Sequence, residues 1–260
     1  MATDSWADGS SRQPNAGHRA VAPTSAQLDV RDLAALRDAV SAAAPDAIAH
    51  LAYRPPDHDV IITGTRNVAA VVAETGVRLV HLSTDVVFGG GPAPFVEDDE
   101  RHPVGDYGRA KADMEDHLSA TAPRSVWVRT SLLLADPDEQ LAGRDLGQVE
   151  LDVAGAVRDP STFSFFIDEF RSPVRASEVA AAVLALAVDR TEVVGPLHVA
   201  GNRSMDRMEL AQLVARRMGL DPSVLRAVTQ AEAGVVGRRP ARVVLDSSRA
   251  TTLGLAPGDP

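Results

Sequence analysis

The chain has 260 residues, 45% of them hydrophobic and 24% charged, enough for one large α/β domain or two lobes sharing a core. A formal net charge of −10 and a pI near 5.1 argue against a general affinity for nucleic acid, whose phosphates demand a basic surface. The absence of cysteine excludes disulfides, thiolate catalysis and zinc–thiolate sites; no apolar run reaches the ~18 to 20 residues that span a bilayer and the start lacks a signal-peptide layout, so a soluble cytoplasmic protein is expected. Residues 1–17 are polar, small and unpatterned and read as a disordered tail. "HRAVAP" (18–23) and "AQLDV" (26–30) read as two short strands. "RDLAALRDAVSAAAP" places Leu33, Leu36 and Val40 on one helical face, with Asp32 in the first turn. "DAIAHLA" is a buried strand, and "TRNVAAVVAETG" a helix closed by Gly76. "RLVHLST", the helix "DYGRAKADMEDHLSA" and the strand "SVWVRTSLLL" follow, and this alternation predicts a doubly wound parallel sheet.

From about Ala135 the pattern loosens, then resumes with the helix "ASEVAAAVLALAVD", the strand "GPLHVAG" and the helix "DRMELAQLVARRMG". The expected organisation is a Rossmann-like domain over 18–140 and a smaller substrate lobe over 141–260, with 193–201 returning to the main sheet.

The chemistry concentrates at "DYGRAK". Of the 26 basic residues only Lys111 is a lysine, and it falls four positions after Tyr107, one of two tyrosines. On a helix, positions i and i+4 share a face, with Cβ atoms roughly 5–6 Å apart. A free phenol, with a pKa of about 10, is a poor proton donor near neutrality. A cation at ~4 Å and an effective dielectric of ~20 supplies about 4 kcal/mol, roughly three pKa units in favour of the phenolate. Arginine brings a wide planar fork, whereas lysine is a compact donor that can also reach a sugar hydroxyl. The alternative is a surface helix with a solvated lysine. Upstream, a strand from Arg78 to Leu82 runs out into Ser83, Thr84 and Asp85, at the carboxyl end where ligands of parallel sheets bind. A hydroxyl there can bond a substrate carbonyl, or simply begin a turn.

Together, "STDVVFGG…APFVEDDERHPVGDYGRAKADME" resembles the extended short-chain dehydrogenase/reductases, and within them the dTDP-4-dehydrorhamnose reductases, which read S-T-D-Y-V-F-x-G, then P-Y-x-E, then P-x-x-x-Y-G-x-x-K-x-x-x-E. Ser83, Thr84, Asp85, Phe88, Gly90, Pro94, Glu97, Pro103, Tyr107, Gly108, Lys111 and Glu115 fall in place. "RTS" at 129–131, "DEFRSPVRASEVA" and "RRPARVVLDSSRATTLGL" extend the resemblance over about 27–255. It implies an NADP- or NAD-dependent reduction of a nucleotide-activated 4-keto sugar. Tyr107 would protonate the ketone oxygen, Lys111 would lower the Tyr107 pKa and hold the nicotinamide ribose, and Thr84 would bond the carbonyl with Asp85 beside it in the sugar site. Asp29 and Val30 match an adenine-contacting pair, and Leu51, Ala52 and Tyr53 a strand end running along the cofactor.

Several positions depart from the pattern. The family opens with a strand, G-x-x-G-x-x-G and a helix whose N-terminus meets the pyrophosphate. Here the early glycines are Gly9 and Gly17, with no apolar strand before either. The missing strand belongs between those matching "HRAVAP" and "DAIAHLA", where its loss leaves two edges with unpaired backbone groups. A truncated reading of a longer enzyme is preferred to a member that has lost cofactor binding. Val86 replaces the tyrosine after S-T-D, Ile61 stands where many members carry a relay asparagine, and Val174 replaces a threonine. Gly89–Gly91 reads as a flexible turn, and the acidic run Glu97–Glu100 as a solvated loop rather than a cation site. The seven histidines lack metal spacing, and His50 and His81 read as core or crevice residues. Arg238, Arg239 and Arg242 could meet a diphosphate or form a solvated rim. A sugar-nucleotide epimerase and a non-catalytic subunit resembling the β subunit of methionine adenosyltransferase are the competing readings. NADP versus NAD and the oligomeric state, with a homodimer as candidate, stay open.

Overall fold

A computed structural model of the chain describes residues 17–53, 57–136, 146–255, 257–258 and 260. The tail expected over 1–17 and the lobe boundary at 140/141 lie mainly or wholly outside the described residues. Four parallel strands form the central sheet in chain order: β1 (Ala47–His50), β2 (Arg78–Thr84), β3 (Val126–Thr130) and β4 (Gly195–His198). Both faces are covered, as near-continuous apolar strands require. Val80, Val126, Val128 and Leu197 pack beneath helix α5 (Ala176–Val188) through Val179, Ala182, Val183 and Leu186. On the other face Leu79 and Trp127 pack against α1 (Leu33–Ala43), α2 (His58–Thr75) and Leu118 of α3 (Asp106–Thr121).

Local signals account for most boundaries. Asp32 caps α1 by accepting from the Ala35 N–H, and Gly76 ends α2 at φ 74°. α2 begins at His58 rather than Thr65, because Asp57 caps it and Val60, Ile61 and Gly64 extend its buried face. A second core joins α4 (Gln148–Arg158) to α6 (Arg207–Arg217) around Leu134, Phe165, Met205 and Leu225, and α6 opens with an Asp206/Glu209 capping box. α5 and α7 (Ser248–Thr252) join β4 on the main sheet, so the chain returns to it over more than 193–201.

The two strands expected at 18–23 and 26–30 do not form; 18–23 is exposed irregular chain and 25–27 a turn. A strand needs a ladder, and no apolar run precedes His18 to fill the place between these segments and β1. Among the described residues β1 is therefore an outer strand, bonded only to β2.

Gly108 sets the approach of α3 to the end of β2. A Cβ there would stand 2.2 Å from the Val86 carbonyl oxygen and 3.1 Å from Pro103 Cβ. Backbone cannot yield as a side-chain tip can, so Gly108→Ala should destabilise the protein by about 1–3 kcal/mol, read as a lower urea midpoint at unchanged slope.

Candidate active site

β2 ends at Thr84, whose hydroxyl accepts from the Val86 N–H and so starts a 3₁₀ turn over Asp85–Val87. The buried Asp85 carboxylate accepts from Ser131 Oγ at 2.6 Å and from Thr84 Oγ1 at 3.3 Å, and Arg171 Nε lies 3.8 Å away. Burial raises the Asp85 pKa, with Arg171, Ser131 and Thr84 opposing. Tyr107, in the first turn of α3, is brought to this strand end by Gly108 and faces the ring of Tyr53 at 5.2 Å. Thr84, Asp85 and Tyr107 thus meet at one carboxyl end of the sheet.

Lys111 is 4% exposed, and its Nζ donates to the Leu82 carbonyl at 2.7 Å. Burial lowers its pKa to about 8, with Glu115 opposing. One turn further, the Glu115 carboxylate accepts from Ser83 Oγ at 2.5 Å, from Arg129 Nη2 at 2.7 Å and from Arg101 Nη1 at 3.2 Å. The expected lowering of the Tyr107 pKa by Lys111 is not what this geometry produces. Burial and Tyr53 raise the phenol's pKa, with a Thr84 hydrogen bond opposing, while the ammonium is turned inward onto β2. Spacing put the two groups on one helical face but did not reveal the carbonyl that competes for the lysine.

The expected cofactor residues are more dispersed. The Asp29 carboxylate binds Arg31, at 2.6 Å to Nη2, and the Val30 carbonyl accepts from Asn67 at 3.0 Å while its side chain fills the space over Gly64. Leu51 and Tyr53, past the end of β1, are about half exposed, and Ala52 lies between them. Tyr107 and Lys111, expected at the nicotinamide ribose, both lie on α3, with the Lys111 Nζ donating to the Leu82 carbonyl. The pyrophosphate end has no glycine-rich cradle among the described residues.

Sequence reasoning gave no role to a cluster next to Asp85. Glu169, 1% exposed, is held by Arg239 at 2.8 and 2.9 Å, with Arg171 at 3.4 Å and Arg207 at 3.9 Å. Burial pushes the Glu169 pKa up, but Arg239, Arg171 and Arg207 outweigh it and hold it low. The signal was "DEFR", which holds Glu169 and Arg171; its other two arginines, Arg207 and Arg239, come from distant segments. Arg239 is therefore ion-paired rather than a free rim charge, and Arg242 donates to the carbonyls of Gly91 and Pro92. That anchors the glycine turn, which is tied down rather than flexible; a Cβ at Gly89 would meet the His102 carbonyl oxygen at 2.5 Å. The acidic run lines a cavity of about 500 Å³ with Asp116 and Trp127, and no metal-holding group of carboxylates or histidines is present among the described residues.

The RmlD substrate binding domain model matches residues 10–258. The chain belongs to the RmlD substrate-binding family. It is 30% identical over 251 residues to a dTDP-4-dehydrorhamnose reductase of Mycolicibacterium smegmatis, covering 93% of this chain and 74% of that protein. It is 27% identical over 260 residues to methionine adenosyltransferase 2 subunit beta of Rattus norvegicus, covering 94% and 75%. Its fold matches the dTDP-4-dehydrorhamnose reductase of Bacillus anthracis solved with NADP, at TM-score 0.75 and 21% identity, over 90% of this chain and 84% of that one. The Rossmann-like parallel sheet is thus common to the family member and its structural neighbours. No helix among the described residues is long and apolar enough to cross a membrane.

The Lys111 shift has a stability consequence. Folding lowers the pKa from 10.5 to about 8, so folding disfavours the charged form. The penalty is fully present below about pH 8 and is relieved as pH rises from there to about 10.5, on the order of 3 kcal/mol in all. Lys111→Met should therefore melt higher than the wild type at pH 7, with the gap closing between pH 8 and 10.5 in a melting series.

Proposed function

We propose that the chain is an NAD(P)H-dependent reductase of a nucleotide-activated 4-keto sugar, of the dTDP-4-dehydrorhamnose type. The single observation that carries the reading is the meeting of Thr84, Asp85 and Tyr107 at the strand end, with the chain's one lysine buried beneath them. It is supported by the family match and by 30% identity to a protein of that name.

In this reading the Thr84 hydroxyl donates to the sugar ketone oxygen and orients it toward Tyr107. Tyr107 delivers a proton to that oxygen as charge develops there; its raised pKa keeps it protonated and ready as the acid near neutrality. Lys111, whose ammonium is turned onto the Leu82 carbonyl, would hold the nicotinamide ribose with its remaining protons. Asp85, tied to Ser131 and Arg171, borders the sugar site. NADP or NAD is the cofactor, the cytoplasm the compartment, and a homodimer the assembly this reading carries with it.

A second reading, a non-catalytic subunit, is supported by the 27% identity to methionine adenosyltransferase 2 subunit beta. NADPH oxidation with dTDP-4-keto-6-deoxysugar separates the two. Tyr107→Phe should lower kcat by about 10²–10⁴ with NADPH affinity kept. A wild-type protein that neither binds NADPH nor consumes it with this substrate would sink the reductase reading.

A further inference from the structure

Two side chains of α3 grip consecutive residues of β2. Lys111 Nζ donates to the Leu82 carbonyl at 2.7 Å, and one turn later the Glu115 carboxylate accepts from Ser83 Oγ at 2.5 Å. Positions i and i+4 share a helical face, so both grips come from one side of the helix. The residue after Ser83 is Thr84, whose hydroxyl meets Tyr107, four positions before Lys111 on the same helix. The two contacts therefore lie directly behind the hydroxyls assigned to the ketone oxygen.

Glu115 is held in one place. It is 1% exposed, and Arg129 of β3 meets it through Nε at 3.1 Å to both oxygens and through Nη2 at 2.7 Å. Arg101 Nη1 reaches it at 3.2 Å. Each arginine is itself anchored, Arg129 Nη1 on the Glu97 carbonyl and Arg101 Nη1 on the Ala112 carbonyl, both at 2.9 Å. The carboxylate cannot turn away without leaving buried charge unpaired. Fastening α3 to the sheet does not require this assembly. Ala110, Met114 and Leu118 already pack the helix, and apolar side chains in place of the ion pairs would avoid their desolvation.

The other titratable groups about Lys111 carry no charge that would balance it. Burial first, and then the ammonium, keep His50 of β1 and His81 of β2 neutral, and burial keeps Tyr107 protonated. Glu115 is the group that favours the charged lysine.

We propose that Glu115 is a positioning residue for the reduction, setting the approach of Thr84 to Tyr107 through Ser83 and supplying the counter-charge of the Lys111 ammonium. The inference rests on the reductase reading. Glu115 touches no substrate atom and acts through its two neighbours. The two halves of the role separate by substitution. Ser83→Ala removes the grip and keeps the charge, whereas Glu115→Gln keeps an acceptor for Ser83 and removes the charge.

With NADPH and dTDP-4-keto-6-deoxysugar, Ser83→Ala should lower kcat by about tenfold or more at nearly unchanged KM. Lys111 is the only lysine, so ¹⁵N-lysine labelling yields one side-chain nitrogen signal, and in Ser83→Ala it should titrate as in the wild type. In Glu115→Gln that signal should titrate at lower pH than in the wild type, because burial then acts on the ammonium unopposed. Glu115→Asp, with the charge kept and the reach shortened, should return the titration toward the wild-type position while kcat stays low. A purely structural Glu115 would change melting temperature alone. Wild-type kcat in folded Ser83→Ala, or a wild-type lysine titration in folded Glu115→Gln, would overturn the proposal. If Glu115→Gln does not fold, Ser83→Ala and Glu115→Asp decide it. A wild type without reductase activity overturns the reductase reading instead, and the Glu115→Gln titration by itself then decides the counter-charge.

Discussion

A single buried ammonium organises the centre of this molecule. Lys111 leaves water to donate to the Leu82 carbonyl, and the rest of its neighbourhood is arranged around the unfavourable burial of that charge. Glu115 supplies an opposite charge one helical turn away, and Ser83, Arg129 and Arg101 in turn satisfy Glu115. These contacts join α3 to β2 and β3 through polar bonds where packed side chains would hold more firmly. The arrangement costs stability.

The same constraint shapes both flanks. On one side Gly108 lets α3 come close enough to the turn after β2 for Tyr107 to reach Thr84. On the other, His50 and His81 lie beside the cation and are driven neutral. Further out, Asp85 links the site to the Glu169 cluster, where Arg171, Arg207 and Arg239 converge on one buried carboxylate. Thr84, Asp85 and these arginines thus share one continuous polar network.

Most of the fold was legible because its strands are buried on both faces and its helices carry marked ends. "RLVHLST" became β2 residue for residue, and Asp32 and Gly76 bound α1 and α2. The segments 18–23 and 26–30 misled because strand propensity is only a half-condition; without a neighbouring ladder they stay irregular. The grouping of Thr84, Asp85 and Tyr107 was legible as a motif, but the relation between Tyr107 and Lys111 was not. Helical spacing places Cβ atoms, whereas the path of a four-carbon side chain depends on which acceptor it meets.

Composition and pattern alone determined the α/β class, the alternation of elements, and the placing of the only lysine four residues after Tyr107. They did so because burial periodicity and residue rarity are properties of the chain itself. Only the tertiary structure decided that Lys111 turns to Leu82, that Glu169 collects three arginines, and that two histidines share a buried row beside the cation. Except for Arg171, two residues from Glu169, those facts depend on contacts between residues far apart in sequence, and on desolvation, which no local pattern encodes.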